Sequence, residues 1–313
     1  MPTAHCRSVP VSAIVATRHR PGVLARTLQS LGEQSRYPAE VIIVDASEDR
    51  TSEELCVEAR GVYPGHLNYM RTGTAGAASQ RNEGIDRAIF PYVLFLDDDI
   101  LIHPSCIERL WSAIKGSQDI GGANAMITNQ AYHRPGRVAR VVFGFLNGGR
   151  LGNYAGRCFG PGLAQLPEAE APAAIVPVDW LNTTCTLYRK DALPSPVFAS
   201  HFKGASTAED LTLSLQVGKR WKLVNVPQAQ IFHDSQPGDH KKNITGLAAM
   251  ELVNRHFVMR SVLERRSLLD YFKFAVMIAY LFTGTLTNRH GLRQAPARLT
   301  GLGIGIFRIL SSR

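Results

Sequence analysis

Residues 92–100 of the chain, Tyr-Val-Leu-Phe-Leu-Asp-Asp-Asp-Ile, decide the fold class. Five apolar or aromatic residues without alternation predict a strand that is covered on both faces, as in the middle of a parallel sheet. Three consecutive aspartates, Asp97, Asp98 and Asp99, follow at its carboxyl end. Open α/β sheets bind ligands at this edge. The stretch therefore predicts an α/β fold and the position of its site.

The three adjacent carboxylates repel one another, and a bound cation would cancel that repulsion. Mg2+ and Mn2+ prefer carboxylate oxygens, and Mg2+ is usually held by one or two carboxylates together with phosphates of the substrate. The alternative is that one aspartate caps the next helix and the others are solvated. Because the aspartates directly follow a buried-type strand, we favour a divalent cation and a substrate that carries phosphate.

The residues before this strand alternate between strand and helix patterns. Strands are predicted at 11–17, 40–45 and 67–71, each followed by a helical pattern, which is typical of a parallel, doubly wound sheet. The second strand ends at Asp45, on the same edge as the triple aspartate, although a turn or helix cap would explain Asp45 about as well. The chain contains no dinucleotide-binding or P-loop glycine motif, which argues against a Rossmann dehydrogenase domain and a P-loop ATPase.

The second half of the chain is less regular at first. A helix is predicted at 104–115 and a strand at 121–128, whereas residues 129–175 are rich in Gly, Arg, Pro and Ala and have little periodicity. We interpret 129–175 as a long insertion over one face of the sheet, where substrate selectivity is often determined. Further strands are predicted at 183–188 and 222–226.

Two residues in this half are candidates for the same site. Ser206 and Glu209 have the spacing of a capping box, which needs no catalysis to explain it, but that motif leaves Asp210 unexplained. A carboxylate in the first turn of a helix is kept ionised by the helix dipole, as a general base must be. His233 follows a short apolar segment. A lone His is more often structural, yet beside a carboxylate site an imidazole could complete the metal shell.

The composition predicts an intracellular globular protein. The chain has 313 residues, of which 45% are apolar, enough for one large domain or two small ones and too many for a disordered chain. Its five cysteines lie far apart without a C-x-x-C pair, which favours reduced thiols over a disulfide framework or a zinc site. The first twenty residues lack the apolar core of a signal peptide. We therefore expect a cytoplasmic location.

The net charge of +9 comes from the last quarter of the chain. Residues 241–313 contain twelve Lys or Arg and three acidic residues, whereas residues 1–240 are balanced. We therefore divide the chain into a domain at 1–239 and a basic, amphipathic helical region at 240–313. The longest uncharged run, 274–288, is shorter than the roughly 20 residues of a membrane-spanning helix. We expect this region to lie on an anionic membrane surface rather than to bind nucleic acid. The alternatives are packing on the sheet and forming a homodimer.

Six segments are informative in combination: V-S-A-I-V-A-T at 11–17, E-V-I-I-V-D-A-S-E-D at 40–49, A-S-Q-R-N-E-G-I at 78–85, V-L-F-L-D-D-D at 93–99, A-E-D-L at 208–211 and I-F-H at 231–233. In this order, and over about residues 10–235, they resemble the family 2 glycosyltransferases, which have the GT-A nucleotide-sugar-binding fold. The resemblance implies a mostly parallel sheet sandwiched by helices, with the basic helical region as a C-terminal extension.

The resemblance also implies a site for a nucleotide-diphosphate sugar as the donor substrate. Thr17 and Asp45 would contact the nucleotide base. Arg81 and Asn82, in the first turns of a predicted helix, would help to hold the donor nucleotide.

The same resemblance implies the residues of the reaction centre. Asp97 and Asp98 would lie at the ribose and the metal, and Asp99 would bind the Mn2+ or Mg2+ that bridges the diphosphate. His233 would complete the metal or diphosphate site. Asp210 would be the general base, and the family inverts the anomeric carbon in one direct displacement.

Physical chemistry agrees with these roles. An acceptor hydroxyl is a poor nucleophile until a carboxylate takes its proton, and a nucleoside diphosphate leaves readily only when a cation meets its charge. We therefore predict a metal-dependent inverting transferase that adds one sugar to a glycan or a lipid-linked glycan in bacterial cell-surface polysaccharide biosynthesis, peripheral on the cytoplasmic face of the inner membrane. The processive members carry Q-x-x-R-W, whereas the segment that begins at Gln216 is one residue longer, which favours a single addition.

Two other functions remain open. A non-catalytic nucleotide-sugar-binding or scaffold protein could use the same fold, but such a protein has no need of a base. A nucleotidyltransferase would also bind metal and nucleotide. It would be expected to carry a Gly-rich, basic phosphate loop after the first strand, and residues 16–20 are not Gly-rich.

Overall fold

The computed structural model describes residues 7–148, 154–167, 174–204, 207–236 and 242–311. The strands are β1 (Ser8–Thr17), β2 (Tyr37–Asp45), β3 (His66–Arg71), β4 (Tyr92–Asp97), β5 (Ile100–Ile102), β6 (Ile120–Ile127), β7 (Cys158–Phe159), β8 (Leu163–Ala164), β9 (Val176–Val178), β10 (Cys185–Arg189) and β11 (Lys222–His233). The helices are α1 (Pro21–Gly32), α2 (Thr51–Ala59), α3 (Ala77–Arg87), α4 (Cys106–Lys115), α5 (Arg137–Leu146), α6 (Glu209–Val217), α7 (Ile244–Phe257), α8 (Leu268–Thr285) and α9 (Arg289–Ser311).

One large sheet organises the first 236 residues. Its strand order is β3-β2-β1-β4-β10-β6-β11-β5, with β9 also paired to β11. Strands β3, β2, β1 and β4 run parallel, β10 is antiparallel to both β4 and β6, and β6 is parallel to β11. The predicted mixed α/β fold with a mostly parallel sheet between helices is confirmed.

Strand β4 is covered on both faces, as its unbroken apolar run predicts. Leu94 and Leu96 belong to the apolar cluster on one face of the sheet, and Val93 and Phe95 belong to the cluster on the other. All four side chains are fully buried. The strand before the aspartates is therefore the central strand of the core.

Two features after β4 differ from the sequence prediction. Strand β5 follows the aspartates at once and pairs antiparallel with the end of β11. The strand predicted at 222–226 is longer in the structure, because β11 continues to His233 through a register shift between Val226 and Gln230. Pro227 lies within that irregularity, where a missing backbone N–H is tolerated.

The interpretation of 129–175 as an irregular cover on the sheet was incomplete. Its described residues contain α5 and the small β7–β8 hairpin. Phe143 and Phe159 from this segment share an apolar cluster with Met259 and Met277 of the C-terminal region. The segment therefore packs against the C-terminal helices, and the boundary between 1–239 and 240–313 stays a prediction.

The C-terminal region is helical, as predicted. Helix α9 packs closely along α7 because Gly301 and Gly305 of α9 have no side chain: a Cβ at Gly301 would collide with the Thr245 carbonyl. Helix α8 has 18 residues and is long and apolar enough to cross a membrane by length and composition, with few of its residues buried. It is longer than the uncharged run because it includes Asp270 and Lys273.

The four cysteines in the described part of the chain form no disulfide, whereas Cys6 lies outside it.

Candidate active site

Three neighbouring strands end at one edge of the sheet and carry polar residues there. In the strand register, Thr17 of β1 lies opposite Asp45 of β2, and Ala16 lies opposite Asp97 of β4. A two-residue turn with the other two aspartates then leads into β5. The sheet therefore brings the predicted donor and metal residues to one edge, as parallel strands do.

The buried side chain of Asp98 lies between the end of β1 and the start of α1. Its carboxylate accepts a hydrogen bond of 2.7 Å from the Thr17 hydroxyl and one of 3.2 Å from Arg20 Nη1. Burial raises the pKa of Asp98 to about 6, although the hydroxyl and the guanidinium oppose that shift. In this arrangement Thr17 and Asp98 contact each other, and their roles at the base and the ribose stay predictions.

Asp99 lies in a different environment. Its carboxylate is 3.1 Å from His233 Nε2, accepts the backbone N–H of Gln236 at 3.3 Å, and is 3.5 Å from Arg20. Burial alone would raise the pKa of Asp99, but the hydrogen bond and charge of His233, the Gln236 N–H and the charge of Arg20 together outweigh it, so the pKa lies below its ordinary value. Asp99 is therefore ionised at neutral pH, as a metal ligand must be.

The predicted metal ligands come together. Ligand atoms of Asp97, Asp99 and His233 all lie within 4.8 Å of one another. Antiparallel pairing of β5 with β11 carries His233 to this position, because His233 lies opposite Ile100, the residue after Asp99. Two carboxylates suit Mn2+ or Mg2+, and three protein ligands leave positions for phosphate oxygens. The residues present therefore fit a divalent cation, and their role as its ligands stays a prediction.

Asp45 is fully buried, and both of its carboxylate oxygens have partners. One oxygen accepts the backbone N–H of Ser47 at 2.9 Å and the Ser47 hydroxyl at 2.5 Å, and the other accepts the Tyr69 hydroxyl at 3.0 Å. The bond to the backbone two residues on is an Asx turn, which matches the structural alternative for Asp45. Its contact with a nucleotide base stays a prediction.

Arg81 of α3 lies between the candidate metal group and Glu209, the neighbour of the predicted base. Its side chain is 4% exposed; Nη2 lies 2.6 Å from Asp97 Oδ1, and Nη1 lies 3.7 Å from Glu209 Oε1. Among the described residues, Arg81 Nε and Nη1 have no hydrogen-bond partner. Arg81 is thus a buried cation between two acidic groups, with donors left for a further acceptor.

The residues on either side of Arg81 hold the helix in place. Gln80 Nε2 donates to the carbonyls of Thr17 and Val44, which fixes the start of α3 against the ends of β1 and β2. Asn82 makes a two-way contact with the backbone of Phe198, with distances of 2.7 and 2.9 Å. The described contacts of Asn82 are structural, and its role in holding the nucleotide stays a prediction.

Asp210 lies in the first turn of α6, as predicted, but the start of that helix differs. Helix α6 begins at Glu209 with Ala208 as its N-cap residue in a left-handed conformation (φ 68°), so Glu209 is not the third residue after a Ser206 cap. Ser206 lies outside the described residues. The carboxylate of Asp210 accepts the backbone N–H of Leu211 at 2.7 Å.

The direction of the pKa shift of Asp210 differs from what the helix dipole alone would give. Burial raises the pKa of Asp210, although the Leu211 N–H and the Arg81 guanidinium oppose it. Burial also raises the pKa of Glu209, and the adjacent Asp210 raises it further. A base with a raised pKa accepts a proton more readily, so this shift suits proton abstraction near neutral pH.

Sequence reasoning missed three contributors to the site: Arg20, Gln80 and Glu209. None of the three stands out in the sequence: Arg20 follows β1 without a glycine motif, the targets of Gln80 are backbone carbonyls, and Glu209 has the spacing of a helix cap. Their position in the sequence could have indicated a role at the site, because each lies at or near the start of a helix that follows the carboxyl edge of the sheet or a loop beside that edge.

Residues 12–159 match the family described as "Glycosyl transferase family 2". This segment is therefore similar to the family 2 glycosyltransferases. An uncharacterized glycosyltransferase of Haemophilus influenzae is 32% identical over 136 residues, which cover 43% of this chain and 42% of that relative. The chain thus aligns with less than half of that relative's length.

Solved structures of glycosyltransferases share the GT-A fold with this chain. The mannosyltransferase PcManGT from Pyrobaculum calidifontis, in complex with GDP-Man and Mn2+, has a TM-score of 0.56 at 17% identity and covers 94% of this chain and 75% of its own. A 1–349 fragment of S. aureus TarS, in complex with UDP-GlcNAc, has a TM-score of 0.57 at 16% identity, with coverages of 95% and 80%. Identities this low show the fold alone.

Proposed function

We propose that the protein is a metal-dependent inverting glycosyltransferase that moves one sugar from a nucleotide-diphosphate sugar to an acceptor hydroxyl. One observation carries the proposal: Arg81 joins Asp97, a member of the candidate cation group, to Glu209, the neighbour of the buried carboxylate of Asp210. The reaction needs a cation site and a general base close to each other, and the buried Arg81 side chain brings the two groups together. The nucleotide-sugar complexes of GT-A proteins with the same fold support it.

In the proposed reaction Asp210 takes the proton of the acceptor hydroxyl while that oxygen attacks the anomeric carbon. The bond from this carbon to the diphosphate oxygen breaks, and the diphosphate leaves with the electron pair. A direct displacement of this kind inverts the anomeric configuration. A cation bound at Asp97, Asp99 and His233 would neutralise charge on the leaving diphosphate. The guanidiniums of Arg20 and Arg81 add positive charge beside the same carboxylates.

The two other functions are less well supported. A nucleotide-sugar-binding scaffold has no use for a buried carboxylate with a raised pKa, since burial of that group disfavours its charged form and costs stability. A nucleotidyltransferase needs phosphate-binding groups after β1. In the described structure Arg18 and His19 instead contact Glu48 and Asp49 at the surface, which leaves Arg20 as the one basic residue of this segment beside Asp98 and Asp99.

A calorimetric titration tests the proposal. The wild type, Asp99→Ala and Asp210→Asn are titrated with UDP, dTDP and GDP, each with and without Mn2+. We expect one nucleotide to bind in a metal-dependent manner, with binding lost in Asp99→Ala and kept in Asp210→Asn. Absence of nucleotide binding under all conditions would show that the carboxylates serve another purpose.

The location of the reaction is part of the proposal. Six exposed apolar side chains of α5 and α8 form a surface that we call the α5–α8 face: Val138, Val141, Phe145, Leu268, Leu269 and Phe272. Val138 and Val141 are 74% exposed and Leu268 is 91% exposed. The rings of Phe145 and Phe272, 5.9 Å apart, join the two helices into one surface. Apolar surface of this kind favours a membrane or protein partner.

Basic residues accompany the α5–α8 face. Arg137 and Arg140 are exposed on α5, Arg266 lies just before α8, and the Lys273 ammonium lies 5.7 Å from the centre of the Phe145 ring. Positive charge around an apolar surface suits an anionic bilayer. We propose that the enzyme works on the cytoplasmic face of the inner membrane, on a glycan or lipid-linked glycan acceptor of bacterial cell-surface polysaccharide biosynthesis.

A further inference from the structure

A groove of about 460 Å3 lies outside the metal group, between the loop at 201–204, helix α7 and the end of α9. Basic side chains at its edge are His201, Lys203 and Arg308, and apolar side chains on α7 are Leu247, Met250 and Val253. None of the roles assigned above uses this groove.

The groove adjoins the loop that leads to the proposed base. Gly204, at its rim, forms a β-bridge with Gly76, the N-cap residue of the helix that carries Arg81. On its other side, Asn254 Nδ2 donates to the carbonyl of Thr207 at 2.9 Å. Thr207 lies three residues before Asp210 in the chain. A molecule in the groove would therefore lie on the side of the site that holds the base, where the acceptor must enter.

The charge of the groove favours an anion. Of the described residues that line it, three are basic and none is acidic. The His201 ring stacks on Phe257 with ring centres 4.4 Å apart, and burial lowers the His201 pKa. At neutral pH the positive charge therefore comes from Lys203 and Arg308, with the imidazole as a neutral hydrogen-bonding group.

The apolar side of the groove favours a ligand that carries an apolar part in addition to its anionic group. Leu247, Met250 and Val253 follow one another at intervals of three residues along α7, so they lie on one side of the helix. Next to Arg308 on α9, Phe307 is 72% exposed, and Leu310 is also exposed. The groove thus combines two cations with an apolar wall and lies beside exposed apolar side chains.

We propose that this groove binds the acceptor through a phosphate group joined to an apolar chain, with Lys203 and Arg308 contacting the phosphate and Leu247, Met250 and Val253 contacting the chain. The acceptor assignment rests on the proposed transferase function. Guanidinium and ammonium groups bind phosphate through charge-assisted hydrogen bonds, and methylene groups gain from leaving water.

Binding of decyl phosphate, below its micelle concentration, tests the proposal. Titrations use the full chain in EDTA, so that the cation group cannot capture the phosphate. Glucose 6-phosphate provides the phosphate without the apolar chain. The variants are Lys203→Gln with Arg308→Gln, and Met250→Gln. The matched control is Arg109→Gln with Lys115→Gln, which removes the same charge from exposed positions of α4.

We expect decyl phosphate to bind about tenfold more tightly than glucose 6-phosphate. The Lys203/Arg308 variant should weaken decyl phosphate binding about tenfold or more, and the control should not. The Met250 variant should weaken decyl phosphate and leave glucose 6-phosphate unchanged. The ring signals of His201 in an NMR spectrum should shift on binding.

Equal affinity for the two ligands would overturn the apolar part of the proposal, and unchanged binding in the Lys203/Arg308 variant would overturn the phosphate part. Binding of UDP, dTDP and GDP, each with Mn2+, by the wild type and the same variants separates the two proposals. Nucleotide binding without any effect of the groove variants on decyl phosphate refutes the groove alone, whereas the absence of binding of all three nucleotides in the wild type refutes the transferase.

Discussion

The carboxyl edge of the sheet and the α5–α8 face depart from ordinary burial in opposite directions. At the edge, Asp98, Arg81 and Asp45 are charged or ionisable side chains that are buried. On the α5–α8 face, Val138 and Leu268 are apolar side chains that are exposed. Burying a charge and exposing an apolar surface both cost free energy. The comparison teaches that both costs fall where the protein is proposed to meet a ligand: a nucleotide sugar at the carboxyl edge and a membrane at the α5–α8 face.

The largest expected effect tests the buried side of this comparison. Asp210→Asn keeps the size of the side chain but removes the base, so we expect sugar transfer to fall by about 10² to 10⁴-fold with nucleotide affinity unchanged. Release of nucleoside diphosphate in the presence of acceptor measures this. The exposed carboxylate variant Glu58→Gln is the control. Transfer by Asp210→Asn at the wild-type rate would remove Asp210 as the base.

The second effect tests the cation group. His233→Ala removes the imidazole near Asp99, and we expect Mn2+-dependent nucleotide affinity to fall about 10 to 100-fold. Calorimetry with and without Mn2+ measures the metal-dependent part. His103→Ala, which removes an exposed imidazole just before α4, should have no effect. An equal loss in the absence of metal would mean that His233 contacts the nucleotide rather than the cation.

The third effect concerns pH. Burial raises the pKa of Asp210, and a general base must be deprotonated, so transfer is lost as pH falls through this raised value. We expect the acidic limb of kcat/KM to have its midpoint well above the ordinary aspartate value of about 4. A pH profile at saturating Mn2+ measures it. A limb near pH 4 would indicate that Asp210 is solvated in the working enzyme.

The fourth effect tests the exposed side of the comparison. Val141→Asp with Phe272→Asp places charge on the α5–α8 face, and we expect binding to anionic liposomes to fall at least about tenfold. Co-sedimentation measures this, with nucleotide binding retained. The matched control is Val57→Asp with Val62→Asp, which adds the same charge at two exposed positions, in α2 and just after it, far from this face in sequence. Equal loss in both variants would show a general effect of charge.

The smallest effect separates folding of α8 from its contacts. Ser267 and Asp270 form a capping box at the start of this helix. Ser267→Ala should lower the free energy of unfolding by about 1 kcal/mol. Thermal denaturation measures this, and liposome binding should be retained. Loss of liposome binding at unchanged stability would mean that Ser267 itself contacts the membrane.

The local pattern of apolar residues was sufficient to predict the central strands of the sheet. The apolar run of β4 is long enough to require cover on both faces, and the strand register then follows for β1 and β2, because parallel strands with helical connections end at one edge. The triple aspartate, Asp45 and Thr17 could therefore be assigned to one edge from the sequence. The sequence made no prediction of the direction of β10, which is antiparallel, since a short apolar strand does not encode its direction.

The sequence by itself determined the α/β class, and it predicted the resemblance to family 2 glycosyltransferases and a carboxylate-rich cation site, because those depend on residue types and on periodicity along the chain. Only the tertiary structure decided which groups meet. Asp99 and His233 are 134 residues apart and come within 3.1 Å through the β5–β11 pairing. Arg81 reaches both Asp97 and Glu209, and α5 joins α8. Burial and long-range pairing set the pKa of Asp210 and the exposure of the α5–α8 face, and neither is a property of any local segment.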